Sequence, residues 1–394
     1  MKHNWEYKKL GDICSIVGRI GFRGYTRDDL IEKGNGAISL SPSNIIDGKL
    51  NFDDKVSYLS WEKYYESPEI MLAEGDVVFT KTASIGKCAL VKKLPVETTL
   101  NPQLVVLKNI QCDSSYLTYT LQDKRFQEAV LSKKGGTSIP TISQAFLGSL
   151  PVPVPPIETQ KQIVAELDKI NETIEDCREL LRNLDALKLS LFYDYFGDPN
   201  TNPKNWNIST FGEIGTFIRG GGFLKRDFVD FGIPCIHYGQ IHTKFGEVVR
   251  KNLTYISEYT ALKSKFAKPN DVILAITSED LEGSCKSVAW LGDFEVAVGG
   301  HAAIFTHNQN PVFISFYTRS NAFCIEKEKY AHGSKVVEIR PKDIEKIPIY
   351  LPPLELQEKF AERIEQIEEQ KKTVESTIAE LQTLLDSRMD YWFN

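Results

Sequence analysis

Residues 151–163, PVPVPPIETQKQI, return in altered form as residues 348–360, PIYLPPLELQEKF. Pro151, Pro155, Pro156, Glu158 and Gln160 recur as Pro348, Pro352, Pro353, Glu355 and Gln357, each 197 positions on, and twice 197 is the chain length of 394. A duplication of this extent constrains the fold more than any local motif, because whatever one half builds the other must build again. The product is a two-fold object, suited to gripping something two-fold such as duplex DNA or a pair of subunits.

The repeat continues outside the proline segments. Trp5 precedes Leu10-Gly11-Asp12-Ile13 as Trp206 precedes Phe211-Gly212-Glu213-Ile214; GAISLSPSNI at 36–45 answers GIPCIHYGQI at 232–241; and GDVVFTKTAS at 75–84 answers NDVILAITSE at 270–279. Gly135-Gly136-Thr137-Ser138 meets Ala331-His332-Gly333-Ser334, again at 197. The offset drifts between the first and last of these matches, as loop insertions in diverged copies would make it. Each half reads as α+β. Short apolar runs such as DVVFT, QLVVL and DVILAIT, punctuated by Gly, Asn and Pro, indicate strands. One helix per half is expected before the glycine-containing loop, over SYLTYTLQDKRFQEAVLS and PVFISFYTRSNAFCIEKEK.

The segments after the Pro-Pro pairs differ in period. Ile163, Leu167, Ile170, Ile174, Cys177, Leu181 and Leu184 alternate steps of four and three, the heptad spacing of a helix-pair seam. Phe360, Ile364, Ile367, Lys371, Val374, Ile378 and Leu381 hold the same register, with Lys371 and Cys177 near the middle where a polar residue can fix alignment. Proline suits a helix start, and Glu158 and Glu355 fall near the positive end of the helix dipole. About 40 residues at 1.5 Å each give roughly 60 Å per helix. The linker Asp198–Lys204 reaches only about 25 Å at full extension, so it cannot carry the chain back along that length. The second globular part is therefore expected at the far end of the first helix, with symmetry returning the second helix antiparallel to it. The expected boundaries are a globular domain over 1–156, a helix over 157–197, a linker over 198–204, a second globular domain over 205–353 and a second helix over 354–394.

Net charge is −6, but it is segregated. Residues 157–197 carry 5 Lys/Arg against 9 Asp/Glu, and residues 354–394 carry 5 against 10, which leaves +3 for everything else. The acid sits on the helices and the globular parts are mildly basic. Seven cysteines form no C-x-x-C pair, pointing to a reduced, cytoplasmic setting. No run of about 18 apolar residues indicates a membrane span.

The motifs of an enzyme are missing: no phosphate-binding G-x-x-x-x-G-K-[ST], no H-E-x-x-H, no G-x-S-x-G, and six histidines without metal spacing. His237 and His242 read as ordinary strand or loop residues, Gly220–Gly222 as a flexible turn, and Trp5 and Trp206 as core anchors. What recurs in both halves is a set of basic and polar loops. Arg19, Arg23, Tyr25 and Arg27 answer Arg219, Lys225 and Arg226; Lys81, Thr82, Ser84 and Lys87 answer Thr277, Ser278 and Lys286; Lys133, Lys134, Gly136, Thr137 and Ser138 answer His332, Gly333, Ser334 and Lys335. Cations attract phosphates, hydroxyls and backbone amides fix register, and a few side chains read base edges. Three such loops repeated in two copies point to a DNA-facing surface.

In layout the chain resembles the specificity subunits of type I restriction-modification systems: Trp…Leu-Gly-[Asp/Glu]-Ile, a variable domain, a glycine-rich loop, Pro-Pro-[Ile/Leu]-x-x-Gln, then a long heptad helix, twice. Thr159 and Leu356 stand where that family usually carries Glu before the Gln. The resemblance implies two target-recognition domains, each reading one half of a split double-stranded DNA target, and a helical spacer that docks two methyltransferase subunits, with restriction subunits joining the full complex. It also implies that the chain itself is not catalytic and holds no cofactor, S-adenosylmethionine being bound by the methyltransferase, which modifies adenine. SIVGRIGFRGYTR differs from GTFIRGGGFLKR, and FTKTAS from LAITSE, so an asymmetric target is expected. A lone methyltransferase's recognition subunit keeps the same fold, and a coiled-coil protein scaffold with two non-DNA modules is the reading from another class.

Overall fold

The computed structural model describes residues 5–21, 24–53, 56–132, 140–333 and 336–393. The chain divides into two compact units, Met1–Arg178 with Ser376–Asn394, and Glu179–Glu375. Each unit holds one mixed helix-and-sheet domain, the start of one long helix and the end of the other. Among the described residues no helix is long and apolar enough to cross a membrane.

The first unit is built on a four-stranded antiparallel sheet in the order Ser15–Val17, Leu104–Lys108, Val77–Thr80, Cys88–Leu90. Strand periodicity of two sends alternate side chains to opposite faces, and both faces are buried. Val77, Phe79, Val105 and Leu107 pack toward Leu117, Leu121, Phe126 and Val130 of the helices. Val78, Leu104 and Val106 pack against Ile38, Leu40 and Leu100 of a second sheet, ordered Thr98–Leu100, Ala37–Leu40, Ser57–Leu59, Leu30–Ile31. The second unit repeats the plan with five-stranded sheets: Val272, Leu274, Ala303 and Phe305 face the helices, and Ile273, Ala275, Ala302 and Ile304 face the other sheet.

The single helix expected before each glycine-containing loop is two. Ser114–Gln122 ends where Asp123 turns extended and caps Lys124–Leu131 by accepting from the Arg125 amide at 3.1 Å. Ser320 likewise separates Pro311–Tyr317 from Asn321–Glu328. A capping side chain that offers its oxygen to the next turn ends one helix and starts another.

The repeated glutamines explain how each long helix is fixed. A two-stranded ribbon (Tyr7–Lys9 with Pro151–Pro153, and Asn207–Thr210 with Pro348–Leu351) delivers the chain to the helices Ile157–Phe196 and Leu354–Phe393. Gln160, buried, accepts from the Asp113 amide at 2.8 Å and donates to the Pro155 carbonyl at 2.7 Å. Gln357 accepts from the Asn310 amide at 3.0 Å and donates to the Pro352 carbonyl at 2.8 Å. Asp113 and Asn310 cap the helices that follow, so one amide side chain ties two helix starts together in each unit.

Within each unit the two long helices run antiparallel. In the first, Ile163 and Leu167 pack with Leu385, Met389 and Phe393 and with Tyr116 of the domain. In the second, Phe360 and Ile364 pack with Phe192 and Phe196 and with Phe313 and Phe316. The seam is not uniform along its length. Ile163, Leu167, Ile170, Ile174, Leu184, Phe360, Ile364 and Ile367 are buried, while Cys177, Leu181, Val374, Ile378 and Leu381 are only half-covered. Lys371 donates to Asp185 across the second unit's helix pair at 2.6 Å, as a polar residue fixing alignment would. Trp5 stacks on Trp392 with ring centroids 6.4 Å apart, and Trp206 donates its indole N–H to the Phe196 carbonyl at 2.8 Å, so the two tryptophans anchor equivalent helix ends.

Candidate nucleic-acid interface

In each unit the polar segment after the strand Val77–Thr80 or Val272–Ala275 is tied to a segment nearer the long helix. In the first, Thr82 bridges Thr141, with their hydroxyls 2.9 Å apart, and the Ala83 amide donates to the Pro140 carbonyl at 3.0 Å. The segment after the strand is thereby stitched to the residues that lead into the helix Gln144–Ser149. Lys81 is half-buried, and burial pulls its ammonium below the ordinary lysine value. Ser84, Arg27 and Lys87 are exposed. Lys87, however, donates to the Ile45 carbonyl at 3.2 Å and lines a groove of about 1000 Å³ beside the helix segments, together with Glu175, Arg178 and Asp386. Arg23, Lys133, Lys134, Gly136, Thr137, Ser138, Ser334 and Lys335 lie outside the described residues.

Arg19 has an internal task. Only 5% exposed, it donates to the Leu100 carbonyl at 3.2 Å and to the hydroxyls of Ser67 and Thr99 at 3.4 Å, with its guanidinium 5.1 Å from the Tyr25 ring centroid. Tyr25 in turn shares a 2.9 Å hydrogen bond with Ser39. This pair holds the first loop against the second sheet.

In the second unit all three loops meet. Arg219 donates to the Gly300 carbonyl at 2.9 Å and pairs with Glu338 at 3.0 Å. Thr277–Ser278 forms a ribbon with Val337–Glu338, and the His332 amide donates to the Glu338 carbonyl at 3.0 Å. His332 is exposed and pairs with Asp343 at 3.5 Å; Gly333 adopts φ +94°, and a Cβ there would collide with the Val336 carbonyl. Lys225 and Arg226 are exposed in the short turn Lys225–Asp227. Thr277 is buried, its hydroxyl 3.1 Å from His301 Nδ1. Lys286 is half-buried and donates to the His242 carbonyl at 3.0 Å. Gly220 and Gly221 are not a flexible turn: a Cβ on either would collide with Gly299 or Ser264, so glycine is needed for close backbone passage.

The sequence matches the family described as type I restriction modification DNA specificity domain twice, over residues 2–184 and 203–383. The chain belongs to that family. Relatives of this specificity-domain chain include the type I restriction enzyme MjaIX specificity subunit of Methanocaldococcus jannaschii, 22% identical over 383 residues (91% of this chain, 85% of that one). The MjaVIII specificity subunit of the same organism is 24% identical over 323 residues (76% and 74%). The fold is shared with a chain solved in work on complex assembly and conformational transition of the type I R-M system (20% identity, TM-score 0.58, 99% of this chain and 97% of that one). It is also shared with the type I restriction-modification S subunit from M. genitalium (14% identity, TM-score 0.54, 100% and 97%).

Two features of this family member escape a reading by motif. The first is an aromatic–imidazole cluster in the second unit, bordering a cleft of about 1340 Å³: the Tyr238 ring lies 4.5 Å from His237, 5.0 Å from His301 and 5.9 Å from His242. Burial, helped by Lys225 and His301, pushes His237 down to about 4, so it is neutral at pH 7 and caps the turn at Tyr238–Thr243 through Nδ1. The second is a pair of exposed apolar turns after Ser60 and Ser257. The signal for the first was available in the offset, since the GAISLSPSNI match sets His237 on the capping Ser41. No spacing rule brings His301 to it, because that contact is tertiary.

Proposed function

We propose that this chain is the DNA-recognition subunit of a type I restriction-modification complex, each unit reading one half of a split target. The observation that carries this reading is the recurrence, in both units, of a polar segment after the strand Val77–Thr80 or Val272–Ala275, tied in the first unit to Thr141 and in the second to Val337–Glu338, on the same framework with different side chains. Exposed cations such as Arg27, Lys225 and Arg226 supply salt-dependent attraction to phosphates; ordered hydroxyls and amides around Thr82, Ser84 and Ser278 set the register; the residues that differ between copies discriminate bases. Different residues imply different half-sites, hence an asymmetric bipartite target. The chain performs no chemistry itself. A partner methyltransferase holding S-adenosylmethionine transfers the methyl group to adenine, and a restriction subunit cleaves, in the cytoplasm.

The acidic helices supply the protein-facing part. Glu172, Glu179 and Glu362 are exposed, whereas Glu175 pairs with Lys49 and Arg178, Glu365 with Arg250, and Glu369 with Lys372. Negative surface disfavours DNA and suits a basic protein face, and the two-fold repeat suits two methyltransferase subunits. A gel shift of the assembled complex on duplex DNA at several salt concentrations tests the reading. Binding that keeps a preference for one split sequence as salt rises supports it; no DNA binding at any salt would leave a protein scaffold instead. Co-purification of a nuclease-translocase subunit separates a restriction complex from a lone methyltransferase.

A further inference from the structure

Gln103 and His301 stand at the same place in the two copies, fixed there by the same backbone hydrogen bonds. The Lys81 amide donates to the Gln103 carbonyl at 2.9 Å, and the Lys81 carbonyl accepts from the Ile142 amide at 3.0 Å. In the second unit the Ile276 amide donates to the His301 carbonyl at 3.0 Å, and the Ile276 carbonyl accepts from the Ile339 amide at 3.0 Å. The flanking ladders agree, since Leu104 pairs with Thr80 as Ala302 pairs with Ala275. Each residue comes just before a strand and lies alongside the polar segment, residues 82–84 or Thr277–Ser278, that the functional reading sets against DNA.

Both side chains are held and still keep a polar atom free. Gln103 is half-buried; its amide donates to Asn101 Oδ1 at 2.9 Å and its Oε1 accepts from Asn101 Nδ2 at 3.2 Å, while Nε2 has no partner among the described residues. Asn101 is itself tied by its amide to the Leu40 carbonyl at 2.9 Å. A braced amide that offers a donor beside an acceptor matches the N6 and N7 edge of adenine. His301 is exposed, with Nδ1 3.1 Å from the Thr277 hydroxyl and its ring 5.0 Å from that of Tyr238, which leaves Nε2 as a single open contact among the described residues. Around Gln103 the charge is of one sign: the segments 77–96, 98–112 and 140–157 contain no Asp or Glu. Burial lowers the Lys81 ammonium there with no carboxylate offsetting it, a setting that favours a polyanion. Around His301 the charge is mixed. Arg219 donates to the adjoining Gly300 carbonyl and Lys286 to that of His242, while Glu279, Asp280 and Glu282 line the cleft beyond. Such a surface suits base edges, which donate as well as accept, rather than phosphates alone.

We propose that Gln103 reads an adenine in one half of the target and that His301, at the equivalent position, reads one base pair in the other half. The inference rests on the reading of the chain as a DNA-recognition subunit and names the side chains that discriminate. Gln103 makes two contacts to one base, Nε2 donating to N7 and Oε1 accepting from N6 through its second lone pair. His301 makes one contact through Nε2. Exchanging a two-point amide for a one-point imidazole on an unchanged framework is the kind of difference that two unlike half-sites require.

The test uses the full chain assembled with its methyltransferase partner and duplexes in which each base pair of the target is changed in turn. Gln103→Ala is expected to weaken binding of the intact target about 10-fold and to abolish the preference at one A·T pair, leaving the other half-site as it was. Gln103→Glu keeps the side chain's volume and the bond from Asn101, so it remains a test if alanine lowers the melting temperature. It loses the donor for adenine N7 and gains an acceptor for cytosine N4, so at that one position the preference should move from adenine to cytosine. His301→Ala should cost about 5-fold at a single pair of the other half-site. Neither alanine change should alter the slope of affinity against salt, because no phosphate contact is lost. If wild-type complex shows no sequence-preferring binding, the functional reading itself fails. If it binds specifically and both alanine variants keep its preference at every base pair, this proposal alone is overturned. It is equally overturned if they weaken all duplexes alike with a smaller salt slope, or if Gln103→Glu still prefers adenine.

Discussion

Replacing Lys188 with methionine removes a cation that three carboxylates of the second unit share. The ammonium, its side chain 4% exposed, lies 2.7 Å from Glu247, 2.7 Å from Glu368 and 3.0 Å from Asp185, so it ties both long helices to the domain. Burial alone would lower its pKa, but the carboxylates outweigh burial and hold it above the ordinary lysine value. Glu247, despite its own burial, is held below the usual carboxylate range by Arg319 and Lys188. Removing one partner of a buried pair costs about 3–5 kcal/mol because the other charge is left unmatched. Glu368 and Asp185 are 34% and 53% exposed and water screens them, so most of the loss comes from Glu247 and the lower bound applies. At about 2–4 °C per kcal/mol for a unit of this size, Lys188→Met should lower the melting temperature by about 6–12 °C. Adding Glu247→Gln and Glu368→Gln should recover most of it. The pH dependence has a definite sign. A depressed Glu247 contributes stability above about pH 4.3 that is lost as pH falls through its folded value; a raised Lys188 contributes stability below about pH 10.4 that is lost only above its folded value. The difference between wild type and variant should be flat through neutral pH and shrink in acid. Calorimetry of wild type, single and triple variants checks this. A shift under about 2 °C for Lys188→Met, or no recovery in the triple variant, would refute the reasoning.

Three further outcomes are expected. Because Trp392 stacks on Trp5 much as Phe196 receives Trp206, joining the ends of the chain by a short linker and opening it within 198–204 should give a folded, DNA-binding permutant; aggregation with every short linker would count against antiparallel helices. Burial holds His237 at about 4, so stability should fall as pH drops from about 6.5 toward that value, and His237→Gln should flatten that part of the profile; an unchanged slope would remove His237 as its source. Lys225→Ala should weaken binding similarly on all sequences and reduce the salt slope by about one, whereas Arg226→Ala should cost about 1–3 kcal/mol at one half-site; identical behaviour of the two variants would refute that division.

The parts of this structure legible in the sequence are those governed by periodicity. A heptad step and a proline-led start fix the two helices, and the offset of 197 pairs Gln160 with Gln357 before any contact is known. The deep half of each helix, however, buries against its own domain through Tyr116 or Phe313 and Phe316, which a seam read as helix against helix does not anticipate. Individual site residues were harder, because a side chain's direction depends on tertiary packing. Arg19 looks like a cation on a basic loop and is a buried strut; Thr277 looks like a hydroxyl on a rim and is covered.

The claim that two unlike units read two unlike half-sites is tested most directly by methylation-aware sequencing of DNA from cells carrying this chain with its methyltransferase. Modified adenines should fall in one split motif whose two halves differ, separated by a fixed number of unread bases. An uninterrupted motif, two identical halves, or no motif at all would contradict the account.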